Sequence, residues 1–361
     1  MTVKTAELKK ALGLVDGVLP GNTNIVITSG IWFLFGEDFL NLITTDLENT
    51  LRAQAESVSD GKGEFVINGK RLVAVVSKTG EDEIVFNIKE GEVELSAGNS
   101  KYKFLTMNPE DFPRVPAVEK GIELQLDAGK FIDCLKSVSF CIDIDEPRPH
   151  FRGVLVDITK TGINFVGTDT KQLALNYMEY VSETPAKVLL PIKMVNILQK
   201  SLGTGNMEIV IAKNNIFLKQ GEFEMTSQLL SGSDDFPDFS KVIPDSKKLE
   251  FAEIPAAVLK NSLNKLSAFL TDRYQKIMFE FGRDKLNLLH QNPETGEVKD
   301  GIDIKFAGDV VTVALNPAIN GFLGRFNDKS LSLGVKDNKG PLLLTGEDKN
   351  YRYIVMPLKI D

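Results

Sequence analysis

Chemistry needs particular side chains held close together, and this chain of 361 residues offers few sets that qualify. Gly63 to Gly69-Lys70 has the outline of a phosphate-cradling loop. Five residues separate its glycines where four are needed, and Arg71 stands where a Ser or Thr would hold magnesium. The two histidines, His150 and His290, are far apart and match no zinc spacing. Asp143, Asp145 and Glu146 form an acidic run that could draw a cation or serve a hydrolase. The run lacks the central glycine and closing glutamate of a calcium loop, so a solvated loop is the plainer reading. No serine sits in a Gly-x-Ser-x-Gly elbow. Cys134 and Cys141, in or just past a helical pattern, read as reduced thiols and not as a disulfide. The expectation is a protein that is not an enzyme and carries no cofactor and no metal.

The elements that would position any site repeat along the chain. Six segments have helical periodicity or helix-start residues: 6–15, 68–79, 127–140, 190–202, 255–270 and 315–328. Leu8, Ala11, Leu12 and Val15 fall at i, i+3, i+4 and i+7, and Phe131, Cys134, Leu135 and Val138 repeat that spacing. Leu259, Leu263, Leu266 and Leu270 make a third stripe. Asn68 and Asp127 can cap helices, and Asn316-Pro317 places a cap before a first-turn proline. Short β-rich runs such as Ile84–Ile88, Val93–Ala97, Glu208–Ala212 and Tyr351–Val355 lie between, punctuated by turn residues. Landmarks recur: Thr45-Asp46 returns as Thr168-Asp169, and Asp111-Phe112-Pro113 returns as Asp235-Phe236-Pro237. The expected fold class is α+β, in three tandem copies of one domain-sized unit over 1–120, 121–246 and 247–361.

Composition excludes some classes. No apolar run is long enough for a membrane span, and the residues after Met1 have no apolar signal core, so a cytoplasmic location is expected. The net charge of −8 argues against nucleic acid until the charges are placed. The six helical segments carry twelve cations: Lys9, Lys10, Lys70, Arg71, Lys78, Lys130, Lys136, Lys193, Lys200, Lys260, Lys265 and Arg325. Against four acids that is a surplus of eight, which leaves −16 on everything else. Lysine decorates any solvated helix, but equivalent helices facing one way would add their cations into a continuous surface. Such a surface tracks phosphates without reading bases.

The C-terminal stretch Tyr353-Ile354-Val355-Met356-Pro357-Leu358-Lys359-Ile360 resembles the closing strand and tail of the bacterial sliding clamp family, the beta subunit of DNA polymerase III. Asp235-Phe236-Pro237-Asp238-Phe239 with Val242-Ile243-Pro244, Gly167-Thr168-Asp169 through Leu173-Ala174, Arg148 through Gly153-Val154-Leu155, and Asn108 through Pro113 also resemble that family, in order along the chain. The resemblance implies a DNA polymerase processivity factor: a head-to-tail homodimer of six domains, with helices lining a hole that encircles duplex DNA without regard to sequence. The implied partners are the replicative polymerase, the clamp loader and other proteins carrying a clamp-binding motif, with no membrane; nucleoid association during replication follows. The twelve helix cations would be the DNA-facing lining.

The resemblance also implies a partner-peptide pocket formed by Phe151, Thr168, Thr170, Lys171, Leu173, Pro237, Val242, Val355, Met356, Pro357 and Leu358, and a dimer interface at Tyr102, Phe269 and Leu270. Without it, Leu173 and Val355 read as strand core. Thr170-Lys171-Gln172 departs from the family's Gly-His-Arg, which changes one wall of that pocket. The alternative from another class is a triplicated β-rich structural or assembly protein that does not encircle DNA. The basic helices favour the clamp.

Overall fold

A computed structural model describes residues 1–326 and 328–360. Asn327, within the helical segment expected over 315–328, and Asp361, the last residue of the third expected domain, lie outside them. The chain repeats one order of elements three times. The first copy is β1 (Thr2–Lys4), α1 (Thr5–Val15), β2 (Gly30–Phe35), β3 (Phe39–Thr45), β4 (Asn49–Glu56), β5 (Gly63–Asn68), α2 (Gly69–Lys78), β6 (Glu83–Lys89), β7 (Glu92–Ala97) and β8 (Ser100–Leu105). The second is β9 (Ile122–Asp127), α3 (Ala128–Ser139), β10 (Gly153–Ile158), β11 (Gly162–Thr168), β12 (Gln172–Glu179), β13 (Ala186–Pro191), α4 (Ile192–Ser201), β14 (Asn206–Ile211), β15 (Asn215–Gln220) and β16 (Phe223–Gln228). The third is β17 (Glu250–Pro255), α5 (Ala256–Ser267), β18 (Ile277–Phe281), β19 (Lys285–Asn292), β20 (Gly296–Asp303), the short β21 (Lys305–Phe306), β22 (Val311–Leu315), α6 (Ile319–Leu323), β23 (Ser330–Val335), β24 (Leu342–Thr345) and β25 (Arg352–Val355). Each copy is therefore strand, helix, three strands, written twice.

The helices sit where the apolar stripes demand. Leu8, Ala11, Leu12 and Val15 are buried, as are Phe131, Cys134, Leu135 and Val138. Each large aliphatic or aromatic side chain buried this way stabilises the fold by about 1.5–3 kcal/mol. Asn68 caps α2 by accepting from Arg71 N at 3.0 Å, and Asp127 caps α3 by accepting from Lys130 N at 2.8 Å. Asn316 accepts from Ala318 N at 2.8 Å before α6. The sixth helix is much shorter than its segment. Gly321 and Gly324 lower helix propensity, and the bare face of Gly321 receives the Phe140 ring, where a Cβ would lie 2.5 Å from a ring carbon.

Among the described residues all strand pairs are antiparallel, and two junctions between copies are continuous sheet. β4 pairs with β16 (Leu51 opposite Met225), giving an eight-stranded sheet ordered β5-β2-β3-β4-β16-β15-β14-β9. β12 pairs with β25 (Leu173 opposite Ile354), giving a nine-stranded sheet ordered β13-β10-β11-β12-β25-β24-β23-β17-β21. The remaining strands form two four-stranded sheets, β1-β6-β7-β8 and β20-β19-β18-β22. By contact the chain divides into one unit of residues 1–132 and 193–229 and another of 133–192 and 230–361. Each unit is organised on one long sheet, so the middle copy contributes to both. Cys134 and Cys141 are free and buried.

Candidate peptide pocket and basic helix faces

In the second unit, the turn between β11 and β12 is held by its own side chains. Thr168 Oγ1 donates to the Gln172 carbonyl at 2.6 Å and accepts from Thr170 N, while Asp169 Oδ1 accepts from the N–H groups of Lys171 and Gln172 at 2.9 Å each. Thr170 takes φ +73°, a left-handed conformation costly for a β-branched residue, which this network offsets. The same turn stands in the first unit: Thr45 donates to the Asn49 carbonyl, Asp46 Oδ1 accepts from Glu48 N and Asn49 N, and Leu47 has φ +79°. The recurrence of Thr-Asp in the sequence is thus a recurrence of one Asx-type turn.

Beside the Thr168 turn lies a cavity of about 160 Å³. It is lined by Phe151, Leu173, Phe236, Pro237, Phe239, Val242, Ile354 and Met356, with Thr168, Thr170, Lys171 and Gln172 along one side. That volume is about what a benzene ring occupies in a dry cavity. Phe151 and Phe236 meet edge to face at 5.6 Å, and Arg148 stacks over Phe151 at 4.7 Å from the ring centre. Met356 N donates to the Lys171 carbonyl at 2.9 Å, and Tyr353 Oη donates to Gln172 Oε1 at 2.6 Å, fixing the C-terminal strand against the turn.

Eight of the eleven expected pocket residues line this cavity: Phe151, Thr168, Thr170, Lys171, Leu173, Pro237, Val242 and Met356. The other three do not. Val355 is 3% exposed, in register with Gln172 and Leu342, and its alternation along β25 removes it from the cavity that Ile354 lines. Leu358 is drawn away because its N–H donates to the Ala314 carbonyl at 2.7 Å. Pro357 joins Leu358, Asn338 and Lys339 around a different, shallow depression. Four lining residues outside the expected set, Gln172, Phe236, Phe239 and Ile354, belong to the same motifs that pointed to the pocket. Strand register separates Ile354 from Val355, and that register appears only with β12 alongside.

The matching junction in the first unit carries polar side chains at the corresponding strand positions. At its β4–β16 junction the positions matching Leu173, Leu175 and Ile354 are Thr50, Arg52 and Thr226. Arg52 there pairs with Glu224 at 3.4 Å. The backbone plan is shared, and the strand positions that give the cavity its leucine and isoleucine are polar here.

All twelve helix cations are exposed. Four are engaged within the chain. Lys9 Nζ donates to the Thr79 carbonyl at 2.7 Å, Lys193 pairs with Asp46 at 2.6 Å, and Lys265 pairs with Asp300 at 3.0 Å. Arg325 is exposed and has the most contacts of the four. Its Nε donates to the Lys136 carbonyl at 2.7 Å, Nη1 donates to the Gly321 carbonyl at 3.0 Å, and the guanidinium lies 5.1 Å over Phe140. It ties α6 to the end of α3. The remaining eight are Lys10, Lys70, Arg71, Lys78, Lys130, Lys136, Lys200 and Lys260. Within the first unit α1 packs on α2, Ile197 of α4 lies against Gly17, and Ser201 Oγ donates to the Leu14 carbonyl, so these three basic helices are neighbours.

Tyr102, on β8, is 36% exposed. Phe269 and Leu270 follow α5 and are half-buried. The Phe269 carbonyl accepts from Thr295 Oγ1 at 2.8 Å and Asn292 Nδ2 at 3.2 Å, with His290 Nε2 at 3.1 Å. Tyr102 belongs to the first unit, Phe269 and Leu270 to the second.

The sites considered for chemistry do not assemble. Glu146 is bound by Arg148 at 2.6 Å, a hydrogen bond that holds its pKa below the usual carboxylate value, and Asp143 accepts from Asp145 N. Among the described residues no group of His, Cys, Asp and Glu is placed to hold a metal. Burial pushes the Cys134 thiol up to about 12 and raises Cys141 well above its ordinary value, which keeps both protonated. No described helix is long and apolar enough to cross a membrane.

Three tandem α+β copies, two of them joined to the next by sheet, with an apolar pocket at one junction and basic helices, define a multidomain docking scaffold of the DNA-clamp class. The N-terminal, central and C-terminal domain profiles of the DNA polymerase III beta subunit match residues 1–116, 125–238 and 240–359. The chain belongs to the DNA polymerase III beta subunit family. It is 26% identical over 363 residues to the beta sliding clamp of Chlamydia pneumoniae, covering 99% of this chain and 98% of that one. It is 25% identical to the beta sliding clamp of Pseudomonas putida strain KT2440, covering 99% of each. Among solved structures it resembles the beta subunit of Thermotoga maritima (TM-score 0.93, 23% identity, 100% of this chain and 99% of that one). It also resembles the Bartonella birtlesii sliding clamp bound to griselimycin (TM-score 0.94, 22% identity, the same coverage).

Proposed function

We propose that the chain is a processivity clamp that closes head to tail with a second copy around duplex DNA, and that it tethers a replicative polymerase and other motif-bearing proteins through the pocket at Leu173 and Met356. The family is one of non-catalytic processivity factors, and the chain works by topology and docking. Its domains are 1–120, 121–246 and 247–361.

One observation carries the ring reading: the pattern of sheet pairing. At each internal junction, the last strand of one copy's first half pairs with the last strand of the next copy's second half, as β4 does with β16 and β12 with β25. The same rule applied once more leaves β20 at one end and β8 at the other, each the edge of a four-stranded sheet. Two copies satisfy both edges head to tail, and an unsatisfied edge is a liability that proteins cover. β8 brings Lys101 and Lys103, and β20 brings Glu297, Asp300 and Asp303 with Lys299. Tyr102, Phe269 and Leu270 belong to this interface. The basic helices supply the DNA-facing lining, and the ring is opened by a clamp-loader ATPase in the cytoplasm, at the nucleoid during replication.

The test is loading onto nicked circular DNA with a clamp loader, followed by cutting. A topological clamp survives a high-salt wash on the circle and leaves once the DNA is linear. Equal retention on both forms, falling steeply with salt, means ordinary electrostatic binding and ends the ring reading. The mass in solution should be twice the 39.9 kDa of one chain.

A further inference from the structure

His290 is 1% exposed, and both of its ring nitrogens sit against backbone carbonyls: Nδ1 lies 2.8 Å from the Lys276 oxygen and Nε2 lies 3.1 Å from the Phe269 oxygen. A carbonyl oxygen only accepts. The neutral ring carries one N–H, so it satisfies one of these carbonyls and turns a lone pair on the other. The imidazolium donates to both. Burial costs the charged form, and the two carbonyl dipoles offset that cost. The Phe269 carbonyl also lies just past the end of α5, where the negative end of the helix dipole favours a cation.

The other two copies show what this position does. By strand pairing, His290 on β19 matches Thr44 on β3 and Gly167 on β11. In each copy the position meets a carbonyl at or just beyond the end of the first helix. Thr44 Oγ1 donates to the Val15 carbonyl at 2.7 Å, and a Cβ on Gly167 would lie 2.2 Å from the Val138 oxygen. Only the third copy places a titratable donor there, and only there does the carbonyl belong to a residue of the proposed ring interface.

The charges around His290 are accounted for. Opposite residues of an antiparallel pair point the same way, so His290 shares its face with Val298 and, two residues along β20, with Asp300. Asp300 is paired with Lys265 of α5 at 3.0 Å. Glu297 and Lys299 on β20, Glu280 on β18 and Lys285 on β19 alternate to the other face. In the segment after α5, Asp272 and Arg273 are exposed, Arg273 lies over the Tyr274 ring, and Lys276 supplies its carbonyl. Both hydrogen bonds of His290 thus end on backbone.

We propose that His290 is a proton-operated latch on the ring interface: the imidazolium holds the Phe269 carbonyl, and loss of the proton turns the Nε2 lone pair on that carbonyl and loosens Phe269 and Leu270, so the head-to-tail contact weakens as pH rises. This rests on the ring reading above. The second copy binds more tightly to an edge that is already ordered, and by linkage closure of the ring favours the proton on His290. The sign is fixed by the geometry: the second hydrogen bond exists only with the proton on, so the contribution is complete at low pH and is lost through the histidine range, about pH 5 to 8.

The experiment measures the dimer dissociation constant of the full-length chain by sedimentation from pH 5.5 to 8.5 at constant ionic strength. It should rise about three- to tenfold across that range, a part of what a hydrogen bond from a charged donor supplies. His290→Gln, which is neutral throughout, should give a flat profile near or above the high-pH value of wild type, while His150→Gln should keep the wild-type slope. Two-bond proton–nitrogen spectra of histidine-labelled wild type should show N–H at both ring nitrogens of His290 at the acidic end and a bare Nε2 at the alkaline end. These spectra and the wild-type profile decide the matter even where the glutamine variant does not fold. A flat wild-type profile, a His290→Gln profile that parallels it, or a single N–H at the acidic end overturns the proposal. A chain that stays monomeric at micromolar concentration at every pH sinks the ring reading itself, and the latch with it.

Discussion

Replacing Arg325 with alanine separates a structural clamp from a DNA contact. The side chain makes two hydrogen bonds to carbonyls, of Lys136 and Gly321, and covers the Phe140 ring. A shielded hydrogen bond from a charged donor contributes about 1.5–3 kcal/mol. Arg325 is exposed, so solvent screening reduces the two bonds together to about 1–2 kcal/mol, and the ring contact adds about 0.5–1 kcal/mol. The loss of about 1.5–3 kcal/mol should lower the first thermal unfolding midpoint by roughly 3–10 °C, read by differential scanning calorimetry. Arg325→Lys should recover only part of it, because an ammonium cannot fork to two carbonyls and lie flat on a ring. Lys260→Ala is the contrast: it should leave the midpoint nearly unchanged, within about 0.5 kcal/mol, and lower the slope of log affinity against log salt for duplex DNA by nearly one. If Arg325→Ala melts like wild type and instead reduces that slope, the clamp assignment is wrong and Arg325 is a phosphate ligand.

Other expectations follow from the same geometry. Met356→Ala should weaken partner-peptide binding by several-fold or more in a titration, and Leu358→Ala should not, since Leu358 lies outside the cavity and its anchoring bond is a backbone one. Asp46→Ala should cost more stability in denaturant melts than Lys193→Met, because Asp46 also holds two backbone N–H groups of its turn while Lys193 is half in solvent. Cys134 and Cys141 should stay unreactive to a thiol reagent near neutral pH until the chain unfolds. A thiol pKa raised on folding contributes stability that is complete below the ordinary value of 9.0, so the Cys134 contribution should be lost between there and about 12 as pH rises. Stability that rises over that window would contradict it.

Much of the fold is written in local pattern. The stripe Leu8, Ala11, Leu12 and Val15 settles both the existence of α1 and its buried face, since 3.6 residues per turn leave no other choice. The caps at Asn68, Asp127 and Asn316 are equally local. Thr-Asp recurs because an Asx turn needs those side chains within a few residues of the N–H groups they accept from. Local pattern overstated the sixth helix, where glycines shorten the element and a ring from a distant part of the chain takes the freed space.

The spacing and type of residues along the chain by themselves determined three copies, basic helices and the neighbourhood of an apolar pocket. Only tertiary structure decided which residues make that pocket. Ile354 and Val355 are both apolar neighbours, and the register of β25 on β12, about half the chain away, sends one to the cavity and buries the other elsewhere. Arg325 and Lys130 look alike as cations on helical segments, yet only Arg325 meets two carbonyls and a ring. The physical reason is the same in both cases. A helix or turn answers to residues a few places away, while pairing between distant strands and contacts between distant helices depend on three-dimensional neighbours that no local spacing encodes.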